Sequence, residues 1–244
     1  MKSILKRVFL KSTIKFILNF KNTYLDGYAL KSYSQEGEDM ILRRIFERQS
    51  TGFYVDVGAY HPKRFSNTYF FYKKGWSGIN IDAMPNSMKI FNEIRPRDIN
   101  VEKAISLKKE ILTYYAFNEP ALNGFSKKIS EARDDLNNYK IEFTKDIETS
   151  TLDNILNEKL PRNQTIDFLS VDVEGLDFDV IQSMNIQKYK PRVILVEIRE
   201  STLASIDQDD IYKYLNVAGY ELYAKAVNTV IFIVKDFKNH ESTT

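Results

Sequence analysis

A chain of 244 residues, 43% hydrophobic and 13% aromatic, has the length for one large domain or two small ones, and its 16 Phe and 15 Tyr exclude disorder as the general state. With no cysteine and only two histidines, a disulfide framework, a thiolate zinc site, an iron–sulfur cluster, a cysteine nucleophile and a multi-histidine metal centre are excluded, so any metal would be a hard ion held by carboxylates. The net charge of +2 hides an asymmetry: residues 1–31 carry seven Lys or Arg against one acid, Asp26, which leaves the rest at −4 and argues against nucleic acid as a partner.

Residues 3–20, SILKRVFLKSTIKFILNF, place Ile4, Leu5, Val8, Phe9, Ile14, Ile17 and Leu18 near helical spacing with Lys or Arg between them. Lys11 and Lys15 interrupt every stretch that a secretory signal would need, and nothing reaches the ~20 apolar residues of a membrane span. Residues 1–32 are thus expected to form a basic amphipathic helical extension. It either packs its stripe on the domain or lies peripherally on anionic lipid, at the inner face of the membrane of a cytoplasmic protein.

A single domain is expected over 33–238, followed by a polar tail, 239–244, that contains His240. Ser34 caps a helix in QEGEDMILRRIFER, and GFYVDVGAY is a buried strand breaking into a loop at Asp56 and Gly58. Ser66 caps SNTYFFYKK, which Gly75 ends; SGINIDA is a second strand, Pro85 opens the helix PNSMKIFNEI, and INVEKAIS and ILTYYAF are extended. Residues 118–150 are polar and read as a lid or insertion across the top of a sheet. Ser150 or Thr151 caps TLDNILNEK, TIDFLSVDVEG is a strand, LDFDVIQSM a helix, RVILVEIRE a strand and DQDDIYKYLNVAG a helix closed by Gly219. YELYAKA and TVIFIV, joined by Val227-Asn228, form an antiparallel hairpin.

This strand–helix alternation predicts an open α/β sheet with helices on both faces, whose ligand sits beyond the carboxyl ends of the strands. Acids cluster there, at Asp56, Asp82, Asp172 with Glu174, and Glu197–Glu200. A strand-end acid costs desolvation unless it binds something. Asp56-Val-Gly58 gives a tight turn but no G-x-G-x-x-G, and there is no Walker loop. Asp82 lies 26 residues after Asp56, near the spacing at which a carboxylate takes both ribose hydroxyls. Two such acids without a phosphate loop point to S-adenosylmethionine rather than NAD; helix capping is the alternative for Asp82. Asp172 and Glu174 share one side of a strand tip, fit to bind cofactor, deprotonate a hydroxyl or share a divalent cation. Stabilising the following helix is the plainer role for Glu174. His61 is a candidate base or acceptor contact, or a loop histidine packed by Pro62.

FYVDVGAYHPKRFSNTYFFYKKGWSGINIDAMPNSM, with TLDNIL, DFLSVDVEGLDFDVIQSM and PRVILVEI following in order and SQEGEDMIL preceding, resembles the FkbM family of S-adenosylmethionine-dependent methyltransferases. The resemblance implies a class I methyltransferase, Rossmann-like fold: a seven-stranded, mostly parallel sheet with an antiparallel last strand. It also implies O-methylation, often of sugars. Carried over by position, Asp56, Gly58 and Ala59 line the methionine part of the cofactor, with Gln35 and Ser66-Asn67-Thr68 close by. Asp82 takes the ribose, Ala83 and Ala104-Ile105 the adenine, and Asp172 the cofactor amine or the acceptor. Tyr60, His61 and Pro62 depart from the family habit of further glycines after the first. The expected acceptor is a glycan, glycolipid or sugar-nucleotide hydroxyl, with Asp172, Glu174 or His61 as base; dependence on a divalent cation is left open and none is predicted. Tyr60, Tyr114 and Tyr115 are candidates for sugar stacking, or core. The rivals are a metal-dependent glycosyltransferase using Asp172-x-Glu174 and a non-catalytic, membrane-associated binding protein.

Overall fold

The computed structural model describes residues 2–237, without the side chains of 2–10; the predicted roles of Ile4, Leu5, Val8, Phe9 and His240 lie outside the described side chains. The chain divides into two compact units, Met1–Ser32 and Tyr33–Thr244. The first is one helix, α1 (Lys2–Tyr24), and the turn after it.

The second unit opens with α2 (Glu38–Ile45), entered one turn after Ser34, whose hydroxyl accepts from the Asp39 amide at 3.1 Å. Strand β1 (Phe53–Val57), α3 (Tyr69–Lys73), β2 (Ser77–Asp82), α4 (Met88–Ile94) and β3 (Ile99–Glu102) follow in strict alternation. Helix α4 begins at Met88 rather than Pro85 because Asn86 is left-handed, with φ 68°. The expected third strand INVEKAIS splits at Lys103: β3 stays in the main sheet, while β4 (Ala104–Ile105) joins a second one.

That second sheet has the order β4-β6-β5, with β5 (Ile111–Phe117) antiparallel to β6 (Ile141–Ser150). Between them, the polar insertion carries a 3-10 turn (Pro120–Leu122) and α5 (Lys127–Arg133), the latter capped by Ser126. Thr151 caps α6 (Leu152–Lys159), accepting from Asn154 at 3.2 Å. Then come β7 (Phe168–Val171), α7 (Asp177–Gln182), α8 (Ile186–Tyr189), β8 (Val193–Glu197), α9 (Asp210–Val217), β9 (Tyr220–Ala226) and β10 (Thr229–Val234).

The main sheet runs β3-β2-β1-β7-β8-β10-β9, and β10 is antiparallel to both its neighbours. Strand order reverses between β1 and β7, which is where an open α/β sheet takes its ligand. Alternation sorts the sheet's faces. Phe53, Val55, Val57, Ile79 and Ile81 join the larger core with α6, α7 and α9. Tyr54 and Phe168 join an aromatic core on the other face with Leu42, Phe46, Phe71 and Trp76. Glycine makes this packing possible at Gly78, where a β-carbon would stand 2.1 Å from the Tyr54 ring.

Beneath the aromatic face lies a buried polar network. Arg95 and Asp98 are paired at 2.8 Å, and the guanidinium also donates to the Tyr54 hydroxyl (2.9 Å) and to Thr68 (3.0 Å). Asp98 further accepts from the Gly78 amide and Asn80. Because each nitrogen of the guanidinium and both oxygens of the carboxylate are engaged, the burial of this ion pair is tolerated.

Candidate functional site

A cavity of about 450 Å³ opens at the carboxyl ends of the strands, in the range of small-molecule sites. Its floor is the switch point. There Val57 ends β1 and Gly58 turns left-handed (φ 82°), its amide donating to the Ile81 carbonyl at 2.9 Å. A β-carbon at Gly58 would stand 1.7 Å from the Asp172 carbonyl oxygen, so the two loops meet at a contact only glycine permits.

Of the residues expected here, Gln35, Gly58, His61, Asn67, Asp82, Ala83, Ile105, Asp172 and Glu174 line the cavity. Asp56, Ala59, Ser66, Thr68 and Ala104 do not. The Asp56 carboxylate turns under the floor, accepting from Thr68 at 3.0 Å; burial raises its pKa, against the pull of Arg95, Thr68 and Ser170. Ala59 packs on Met88 and Phe91. Ser66 accepts from the Tyr69 amide, Thr68 bridges Arg95 and Asp56, and Ala104 is buried on the opposite side of β4 from Ile105. These residues support the wall without reaching the space inside it.

Asp82 ends β2 with both carboxylate oxygens fixed, one accepting from the Met84 amide (2.8 Å) and the other from Tyr60 (3.0 Å). Each oxygen keeps a further lone pair. Burial raises its pKa, with the two amides opposing. Tyr60 makes this bond from a left-handed backbone, φ 50°, a conformation that costs a non-glycine residue about 1 kcal/mol. Its ring stacks on Phe65 and its hydroxyl accepts from Arg64 at 2.7 Å. The residue standing where a further glycine was expected is therefore held by contacts of its own. Asn67 donates to Ser170 at 3.1 Å while its Oδ1, buried, has no partner among the described residues.

His61 is spoken for on one side. Its Nδ1 accepts from the amides of Lys63 and Arg64, both at 3.0 Å, which puts the neutral ring's proton on Nε2. Burial and then the Arg64 and Lys63 charges lower its pKa. It offers the cavity a donor rather than a lone pair.

The acidic corner is formed by Asp172, Glu174 and Glu197, with a carboxylate oxygen of each within 4.8 Å of the others. Glu174 is bound by two guanidiniums, Arg133 of α5 at 2.7 Å and Arg199, while Arg199 Nε also reaches Glu197 at 2.8 Å. The Asp172 side chain makes no hydrogen bond among the described residues. Although it opens to the cavity, it is closely walled by protein, and that desolvation, followed by the charges of Glu197, Asp177 and Glu174, raises its pKa well above the usual carboxylate range. Glu197 is also raised, by burial first, with Arg199 opposing.

The insertion forms the roof. Ala121, Asn123, Gly124 and Phe125 line the cavity, and Tyr114, buried against Phe125 (centroids 5.1 Å apart), lines it from β5. Tyr115 is half-buried and does not line it; its amide bonds back to the Gly124 carbonyl. The fit to the loop after β7 is close: a β-carbon at Gly124 would stand 2.9 Å from the Glu174 side chain, and one at Gly175 2.9 Å from Ile129. Arg64 and Tyr60 meet Glu119 on the rim.

Sequence reasoning passed over Glu36 and Glu38. They hold the β9–β10 turn, accepting from the Asn228 amide and the Thr229 hydroxyl, both at 3.0 Å. It also missed the two arginines at Glu174. Strand spacing places Arg199 two residues past Glu197, a signal available in RVILVEIRE; Arg133 comes from an insertion no local pattern ties to the site.

None of the curated proteins compared with the chain gives a significant match. Residues 56–222 match the methyltransferase FkbM domain. That span runs from Asp56 in β1 into β9 and takes in every strand-end acid of the cavity, and with the sheet order it makes the chain a member of the FkbM methyltransferase family, with a class I methyltransferase-like fold.

Proposed function

We propose that this methyltransferase uses S-adenosylmethionine to methylate a hydroxyl group of a carbohydrate. The observation that carries the reading is the Asp172 carboxylate, exposed to the cavity and with no hydrogen bond among the described residues, sharing that cavity with the amide-fixed carboxylate of Asp82.

The residues present fit the cofactor. Asp82 offers lone pairs to a ribose diol, Ile81, Ala83 and Ile105 an apolar slot for adenine, and the orphan Asn67 Oδ1 an acceptor for an ammonium group. The Gly58 turn lets backbone approach closely. When bound, S-adenosylmethionine supplies a methyl group already made electrophilic by its sulfonium.

What the chain itself must do is position and deprotonate. Asp172 is the base in this reading, since its raised pKa sits closer to the working pH than an ordinary carboxylate's. Glu174 is a clamp, its Oε2 held by both Arg133 and Arg199, and His61 Nε2–H orients the acceptor oxygen. The glycosyltransferase alternative needs Asp172 and Glu174 for a cation, whereas Glu174 Oε2 is engaged by two guanidiniums, and it leaves Asp82 without a task.

Calorimetric titration with S-adenosylhomocysteine, with and without magnesium, tests the reading. Micromolar binding independent of magnesium is the expected result. Absence of binding, together with magnesium-dependent binding of a nucleotide sugar, overturns it.

A further inference from the structure

The cavity leaves two features without a role: the basic N-terminal unit and an aromatic, cation-rich face of the domain. In α1, Phe16 and Tyr24 are 71% and 72% exposed, and Ile17 and Phe20 are exposed beside them. At the helical turn of 100° per residue these four fall within an arc of about 100°; Lys11 and Lys15 lie opposite, beside the exposed Ile14 and Leu18, so the helix is apolar on more than one side and basic on one of them. The Phe20 and Tyr24 rings lie 5.1 Å apart. Beyond the helix, Leu25, Tyr28 and Leu30 are exposed as well.

A second observation comes from the domain itself. It begins at Tyr33, whose ring packs edge-on against Tyr69 at 4.8 Å, and Tyr69 stacks with Tyr72. Exposed cations lie over all three rings: Lys73 at Tyr33 (5.4 Å), Lys63 at Tyr69 (5.8 Å) and Arg97 at Tyr72 (4.0 Å). Tyrosine beside long basic side chains is the composition of a surface that sits at a lipid headgroup layer. The chain thus enters the domain at this face, in which Lys63 shares a loop with the cavity residues His61 and Phe65.

We propose that the protein docks peripherally on an anionic bilayer surface, α1 lying in the interface and the Tyr33–Tyr69–Tyr72 face making a second contact. Apolar burial alone would suit many partners, but seven basic residues against one acid in residues 1–31 select an anionic one and oppose pairing with a second copy of the same segment. No helix among the described residues is long and apolar enough to cross a membrane. The proposal stands apart from the reading of the cavity.

The test is flotation of the full chain with vesicles of phosphatidylcholine alone or mixed with phosphatidylglycerol, at low and high salt. Partition to the anionic vesicles only, weakened by salt, is expected. The triple variant Lys11→Gln, Lys15→Gln, Lys21→Gln should lose about a hundredfold in partition, at ~fivefold per lysine, and Lys63→Gln with Lys73→Gln roughly tenfold or more. Phe16→Trp should give a blue-shifted emission on vesicles, read against Trp76, which is buried and unaffected. Equal partition to both vesicle types, an unaffected triple variant, or no partition with sedimentation as a dimer each overturns the proposal. S-adenosylhomocysteine calorimetry on the triple lysine variant of α1 should be unchanged, which keeps this outcome separate from that of the cavity.

Discussion

Gly58 and Asp172 meet backbone to backbone: the α-carbon of the one is so close to the carbonyl oxygen of the other that a β-carbon would overlap it at 1.7 Å. The left-handed φ of 82° compounds the demand. Gly58→Ala should therefore cost more than about 2 kcal/mol of stability, through strain and displacement of the Asp172 loop together. Thermal denaturation measures the first, and loss of S-adenosylhomocysteine binding the second. A variant with unchanged melting temperature would refute the contact.

Asp82→Ala removes the acceptor for both the Tyr60 and Met84 amides as well as the lone pairs offered to a ribose. Cofactor affinity should fall at least about tenfold, corresponding to 1.4 kcal/mol or more. In calorimetry the change is read as Kd, with turnover at saturating cofactor much less affected.

Asp172→Asn should reduce kcat far more than cofactor affinity. Because desolvation by the cavity wall and three neighbouring carboxylates raise the Asp172 pKa, the active deprotonated form accumulates only as pH rises through that raised value. The wild-type rate should climb over this interval, above the ordinary carboxylate range, and the variant's residual rate should lack the limb.

Asp177, behind the same loop, is pushed up to about 7 by burial and then by Glu197, against the amides of Val173 and Gly175. A carboxyl harder to ionise when folded stabilises the protein fully below its unfolded value of 3.8. That contribution is lost as pH rises through about 7. Asp177→Asn should be less stable at acid pH, since one amide loses its acceptor, but should show a shallower decline between pH 4 and pH 7 in chemical denaturation.

Arg95→Met strands the buried carboxylate of Asp98, and about 3–5 kcal/mol of stability should go with it. Adding Asp98→Asn should restore part of the loss. Urea denaturation of the four members of the cycle separates the ion pair from the packing of its aliphatic stem.

The main sheet was legible because its strands are short apolar, often β-branched runs, two of them ended by an acid and glycine, as in FYVDVG and FLSVDVEG, and helix caps such as Thr151 announce themselves. The second sheet was not. IEFTKDIETS forms the ten-residue β6, yet six of its residues are exposed, so the alternation of Ile141, Phe143 and Ile147 is diluted by charge. INVEKAIS looked continuous because nothing in a sequence shows one segment changing sheets at Lys103. At the site, position along a strand fixed which end of the sheet a residue occupies, and Asp82, Asn67 and Asp172 reach the cavity. It could not fix which way a side chain turns: Asp56 points beneath the floor because Thr68 and Ser170 hold it there.

The split at Lys103 has a consequence for exchanging parts between members of this family. The Lys103 amide hangs from the Asp82 carbonyl at 2.9 Å, β4 then pairs with β6, and β6 runs directly into the Thr151 cap of α6. The roofing piece is thus a cassette with two natural splice points, Lys103 and Thr151. A chimaera cut elsewhere in it severs a strand pairing, whereas one cut at these residues transplants a new roof over an unaltered floor.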